Sequence, residues 1–178
     1  MSSSATHIPT IPRAAVSVVV RCNLVGRSSS SELRGPPETY YLLVQRGQAP
    51  NKGIWSFPGG KIEYGESTLD GGQRELREET DWHESPDDWD ALRWHNSTIG
   101  TSDSIGEGYH YVIAQCFAEL TKAKSVLPIL RPADDADATM WSTLPEIQRM
   151  CAQNLVTPGV LDVLYRVEAL ERTGLLEK

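Results

Sequence analysis

Three glutamates carry the chemistry most directly legible in this sequence. Glu75, Glu78 and Glu79 stand at i, i+3 and i+4 within the run Glu66–Asp81. A helix through that run puts their carboxylates on one face. The same 16 residues hold six acids (Glu66, Asp70, Glu75, Glu78, Glu79, Asp81) and two bases (Arg74, Arg77), a net −4 of the chain's −7. Like charges at this spacing cost roughly 0.2–0.5 kcal/mol per pair, and the C-terminal half of a helix adds an unfavourable macrodipole. A hard divalent cation relieves both penalties: Mg²⁺ takes carboxylate oxygens, keeps several waters and completes its shell with substrate phosphate oxygens. The alternative is a solvated acidic face in which Arg74 and Glu78 form an ordinary i, i+4 pair. The flanking glycines favour the cation. Gly59-Gly60 let the backbone turn tightly and approach a ligand, and Glu66 falls at the positive end of the helix. A bent loop feeding such a helix presents oxygens rigidly, as metal-assisted phosphoryl chemistry requires.

The segment Gly59–Trp82, GGKIEYGESTLDGGQRELREETDW, resembles the signature of the Nudix hydrolases. That signature runs Gly, five residues, Glu, seven residues, then Arg-Glu-apolar-x-Glu-Glu-x-Gly-apolar. Here the positions are Gly60, Glu66, Arg74-Glu75-Leu76, Glu78-Glu79, Asp81 and Trp82. The lead-in GIWSFPGGKIEYGES is also similar to that family, and the resemblance extends in order from Arg13 to Ile147. Two departures stand out. Asp81 replaces the glycine after the helix; if that site takes a left-handed conformation, Asp tolerates it at about 1 kcal/mol. Gly71-Gly72 lie inside the helix at roughly 1 kcal/mol each relative to Ala, which implies close packing of helix on sheet.

The resemblance implies a Nudix-type α/β/α sandwich with a mixed β-sheet and the motif as loop-helix-loop. It implies metal ligation by Glu75, Glu78 and Glu79, with the Gly59 carbonyl as a further oxygen, and orientation of the carboxylates by Arg74, which reaches Glu78 or Glu66. One glutamate would activate water; the spacing leaves open which. The cofactor is Mg²⁺, with Mn²⁺ as an alternative. Gly59 and Gly60 approach the substrate. A further base from a nearby loop is frequent in the family: Glu107 is the first choice, because it immediately precedes the Tyr109 strand, ahead of Asp103, Asp134 and Asp135. Tyr109, Tyr40, Trp94 and Trp141 are candidates for stacking on a base or sugar.

The implied reaction is attack of water on a phosphoanhydride phosphorus of a nucleoside diphosphate linked to a group X. The segment PADDADATMWSTLPEI is similar to the ending of ADP-ribose pyrophosphatase-like members, which favours ADP-ribose or a related derivative. A MutT-like nucleoside triphosphate pyrophosphohydrolase, a non-catalytic nucleotide-binding module and an acidic interaction domain are the competing readings. The partner is a small-molecule nucleotide, and homodimers are common in the family.

The elements that must hold this segment can be placed from local pattern. Ala14–Val25 and Tyr40–Gln45 are branched and aromatic, and predict strands. The Ser, Gly and Pro content of Arg27–Thr39 predicts a mobile loop. The spacing predicts a helix over Ser67–Thr80 and turns over Asp81–Asp90. Tyr109–Leu120 predicts a strand with Tyr109, Tyr111, Ile113 and Phe117 on one face. Arg131–Thr139 reads as a loop. Thr143-Leu144-Pro145-Glu146 has the form of a capping box. Val160, Val163, Leu164, Val167 and Leu170 mark an amphipathic helix over 159–172. The expected organisation is a flexible tail over 1–12 and one α/β domain over 13–178.

With 178 residues and 39% apolar content the chain has the composition of one globular domain. It has no apolar run of the roughly 18 residues a membrane span needs. The net charge of −7 argues against a nucleic-acid binder. Cys22, Cys116 and Cys151 are odd in number and widely spaced, without zinc spacing or a disulfide framework. The expected location is cytoplasmic, although the first 31 residues lack acids and are faintly transit-like.

Overall fold

The computed structural model describes residues 11–24, 37–49, 51–82, 92–120 and 126–176. The predicted tail up to residue 10, residues 27–36 of the predicted mobile loop and the acidic turns beyond Trp82 lie outside them. Among the described residues, seven strands form one mixed sheet: β1 (Arg13–Leu24), β2 (Glu38–Arg46), β3 (Trp55–Ser56), β4 (Leu92–Trp94), β5 (Gly100–Gly106), β6 (Tyr109–Leu120) and β7 (Ala136–Thr143). The helices among the described residues are α1 (Thr68–Thr80), α2 (Leu144–Ala152) and α3 (Val160–Arg172).

Strand β1 runs parallel to β6 from Arg13↔Tyr111 to Arg21↔Glu119. It pairs antiparallel with β2 only at its far end, Arg21↔Tyr41 to Leu24↔Glu38. Before that point the two strands diverge. On the side where β2 is absent, loop 58–62 takes up the free hydrogen bonds of β1: Val16 N–H donates to Gly60 O at 2.9 Å, Val18 N–H to Pro58 O at 2.8 Å, and Ile62 N–H to Ala14 O at 3.3 Å. The glycine loop is therefore stitched into the sheet.

Alternation sorts β1 into two cores. Val16, Val18, Val20 and Cys22 face α1, packed with Leu42, Leu76, Trp82 and Cys116. Val19 faces the other way, with Tyr41, Leu43, Phe117, Ile147, Val163 and Leu164 under α2 and α3. The result is the expected α/β/α sandwich. Close approach explains the helical glycines: a Cβ on Gly72 would sit 3.1 Å from Val18 Cγ2, so contact with the sheet offsets their poor helix propensity. Asp81 caps α1 in the left-handed conformation at φ 50°. Thr143 and Glu146 complete the capping box of α2. Across the sheet, the Arg21 guanidinium donates to Glu119 on β6 and to Glu171 on α3, which ties α3 to the strands.

One boundary needs correction. The loop expected over Arg131–Thr139 ends early, because β7 begins at Ala136 and pairs with β2 from Ala136↔Arg46 onward. Ladder pairing there overrides the turn-forming composition. No helix among the described residues is long and apolar enough to cross a membrane.

Candidate active site

Helix α1 begins where Ser67 Oγ accepts the Asp70 N–H at 3.1 Å, and its glutamate face meets the stitched loop. The two glycines of that loop sit tightly, Gly59 against backbone and Gly60 against a side chain. A Cβ on Gly59 would lie 2.2 Å from the Val16 carbonyl oxygen, and one on Gly60 would lie 2.5 Å from Glu75 Oε1. Glycine is the residue that lets backbone and carboxylate approach this closely.

Arg74 organises the acids. Its Nε and Nη2 donate to the two oxygens of Glu66 at 2.8 and 3.0 Å, and its Nη1 donates to Glu75 at 2.9 Å and to Glu78 at 2.8 Å. Nη2 also reaches the Lys61 carbonyl at 2.9 Å. A planar fork serving three carboxylates and a carbonyl is a task for arginine rather than lysine. Glu79 is held separately: its Oε2 accepts the Gly59 N–H at 2.9 Å, and the residue is 5% exposed.

These contacts set different proton affinities. The Arg74 hydrogen bond, and then the Glu63 N–H, hold Glu66 below the usual carboxylate range. Burial raises Glu75 despite its bond to Arg74. Burial pushes Glu79 up to about 8, partly opposed by the Gly59 N–H and reinforced by the charge of Asp135. Two neighbouring carboxylates thus carry a desolvation cost that a cation would relieve.

A cleft of about 1090 Å³ opens in front of this cluster, at the upper end of small-molecule sites. Glu75, Glu78 and Arg74 line one wall, and the β5–β6 hairpin with the start of α3 lines the other. Gly59, Gly60, Asp103, Asp134, Asp135 and Tyr109 also reach it. Glu66 and Glu79 stand behind the wall. Glu107 sits in the exposed turn joining β5 to β6 and is not among the lining residues. Of the four acids considered as an extra base, Asp135 is the one whose charge acts on both Glu75 and Glu79. Of the aromatics, Tyr109 lines the cleft, whereas Trp94 and Trp141 pack against the α1-side core and the Tyr40 hydroxyl donates to Glu38. Sequence reasoning passed over Arg46 and Gln115, both in the lining. The signal for Gln115 was available, as a lone amide on the Tyr109–Phe117 face.

Among the described residues no three Asp, Glu, His or Cys side chains converge as a ready metal cage. The donor set still fits a hard cation. It consists of oxygens, clustered on one turn, and two of the carboxylates are costly to ionise without a positive partner.

A mixed sheet between helices, with a glycine loop feeding a carboxylate-bearing helix, defines a Nudix-type fold. Residues 31–156 match the family model for the NUDIX domain, and the chain belongs to that family. A bifunctional NMN adenylyltransferase/ADP ribose pyrophosphatase from Francisella tularensis, solved with AMP and a Mn ion, is similar with a TM-score of 0.64 and 22% identity. That likeness covers 92% of this chain but 42% of the Francisella protein, so this chain spans less than half its length. An Ap4A hydrolase from C. elegans has a TM-score of 0.64 at 16% identity, covering 90% of this chain and 98% of that one. A NUDIX hydrolase from Nitrosomonas europaea has a TM-score of 0.59 at 19% identity, covering 89% and 90%. At these identities the likeness is one of fold. No curated protein sequence matches this chain.

Proposed function

We propose that this NUDIX protein is a divalent-metal-dependent hydrolase of a phosphoanhydride bond in a nucleoside diphosphate linked to a second group, with an ADP-ribose-like substrate favoured. Family membership and the Nudix hydrolases among its structural neighbours support hydrolase activity on pyrophosphate bonds. The single observation that carries the reading is the placement of Glu75 and Glu78 on the cleft wall, oriented by one arginine and backed by Glu79. The choice of ADP-ribose rests on the resemblance of the segment from Pro132 to Ile147, and the cleft has room for a nucleoside and a second group.

Glu75, Glu78 and Glu79, with the Gly59 carbonyl, would hold Mg²⁺ or Mn²⁺. When bound, such an ion neutralises phosphate oxygens and acidifies a water. The chain's own residues do the rest. Arg74 fixes the rotamers of Glu66, Glu75 and Glu78, so that their oxygens are preorganised toward the diphosphate. The Gly59 N–H aims Glu79, and the glycine loop lets the substrate approach without side-chain obstruction. Water attacks phosphorus, its proton passes to a carboxylate oxygen of this cluster, and the anhydride P–O bond breaks to release two phosphate esters. Glu78→Gln and Glu79→Gln should each abolish most turnover while leaving the thermal melt cooperative. Undiminished turnover in both variants rejects the proposal.

A further inference from the structure

The half of the cleft away from the glutamates has its own chemistry. On β6, the alternation Tyr109, Tyr111, Ile113 lines it, and Gln115 comes next on the same face. Beyond Gln115, Phe117 is already in the core under α3. Ser102 on β5 lies beside Gln115, and its Oγ takes the Gln115 Nε2–H at 2.6 Å. Gln115 is 2% exposed, yet its Oε1 is buried and has no hydrogen-bond partner among the described residues. A buried carbonyl oxygen without a donor is costly, and native structures keep such groups where a ligand or water supplies the missing bond.

The surroundings narrow what that ligand group can be. The lining residues from β5, β6 and the start of α3 include Asp103 and Asp162 but no Lys or Arg; the cations of the cleft, Arg46, Lys61 and Arg74, belong to other walls. The Arg166 guanidinium of α3 lies against Gly100, opposite Gln115, but is not among the lining residues, and the oxygens of a phosphate or carboxylate would repel Gln115 Oε1. A neutral ring carrying an N–H donor suits the place. Tyr109 and Tyr111 add apolar ring surface at the same wall, with centroids 5.9 Å apart and planes inclined at 34°.

We infer that Gln115 determines specificity: its buried amide oxygen, held by Ser102 on the cleft floor, accepts a hydrogen bond from the exocyclic amino group of the substrate's nucleobase. The inference deepens the proposed function and rests on that reading for the placement of the diphosphate at the glutamates. It directs the nucleoside toward the β5–β6 side and the reacting phosphates toward α1. Bases that present a carbonyl at the same position would face Oε1 with a second acceptor and be rejected.

The test uses binding, so that it is separable from turnover. The affinities of the full chain for AMP, IMP, CMP and UMP are measured by calorimetry in Mg²⁺, with wild type and Gln115→Met. Wild type should bind AMP at least about tenfold tighter than IMP, and CMP tighter than UMP, the expected scale for one buried hydrogen bond. Gln115→Met, which removes the unpaired oxygen without opening a cavity, should bring AMP and IMP together. Equal or reversed affinities for AMP and IMP in wild type overturn the inference without need of any variant. An AMP preference that survives intact in folded Gln115→Met overturns it as well. Absence of hydrolysis with the AMP preference present would instead count against the catalytic reading alone.

Discussion

Gly59 and Glu79, twenty residues apart, are joined by a hydrogen bond of 2.9 Å from the loop N–H to the carboxylate. That bond links the segment stitched to β1 with the last turn of α1. Any displacement of the loop is thereby transmitted to the glutamate face, which is why the two glycines before the helix matter as much as the acids on it.

The neighbouring glycines should fail in different ways. In Gly60→Ala the new methyl meets the Glu75 carboxylate, the movable end of a side chain. The protein should fold with Glu75 displaced and lose about ten- to a hundredfold in kcat, as changes to ligand support do. In Gly59→Ala the methyl meets the Val16 carbonyl and the Ser17 Cα, both backbone, and the loss should be one of stability, on the order of 1–3 kcal/mol. Denaturant melts alongside steady-state kinetics separate the two.

Arg74→Lys keeps the charge but cannot grip Glu66 with two bonds while holding Glu75 and Glu78. We expect kcat/KM to fall about ten- to a hundredfold, with a small decrease in melting temperature. Wild-type kinetics in this variant would show that the arginine only balances charge.

The pH response of the metal-free protein has a definite sign. Burial pushes the Glu79 carboxyl up from the ordinary carboxylate range to about 8, and Glu75 is shifted in the same direction. A raised folded-state value favours the protonated form, so this stability is fully present below the unfolded pKa and is lost as pH rises through about 8. In chelator the melting temperature should therefore decline between about pH 5 and pH 8. Stabilisation by Mg²⁺ should grow over the same window, since ligation needs ionised carboxylates. Thermal melts of wild type and Glu79→Gln check both slopes, and the variant should be flatter.

Much of the scaffold was legible because it is written in local chemistry. Thr143 before Glu146 and the alternation of Tyr109, Tyr111, Ile113 and Phe117 along β6 each specify their element with few residues. Strand β5, by contrast, has the sequence GTSDSIG with a single branched apolar residue. It is a strand because β6 offers a ladder from Gly100↔Gln115 to Gly106↔Tyr109, a non-local cause that a window of sequence does not contain. The start of β7 was obscured for the same reason. At the site, the i, i+3, i+4 spacing placed the glutamates on one helical face. It did not indicate that Arg74 serves three of the acids at once, nor that Glu107 would sit at an exposed hairpin tip. Those depend on how the loop and the hairpin fold back in three dimensions.

Gly72→Ala poses helix propensity against packing. Propensity alone favours alanine by about 1 kcal/mol, but its Cβ would lie 3.1 Å from Val18 Cγ2 and 3.6 Å from Cys116 Sγ. We expect no net stabilisation by chemical denaturation, because the buried Val18 side chain must give way to admit the methyl.

Hydrolysis of a phosphoanhydride within a nucleoside diphosphate derivative is the proposed activity. Product analysis by mass spectrometry tests it most directly, with the purified protein and Mg²⁺ incubated with ADP-ribose, dinucleotides, coenzyme A, nucleotide sugars and normal and oxidised triphosphates. ADP-ribose should yield AMP and ribose 5-phosphate, a reaction abolished in the Glu78→Gln and Glu79→Gln variants. Nucleoside monophosphate plus pyrophosphate from triphosphates alone would contradict the substrate assignment, and silence across the panel with Mg²⁺ bound would contradict the catalytic claim.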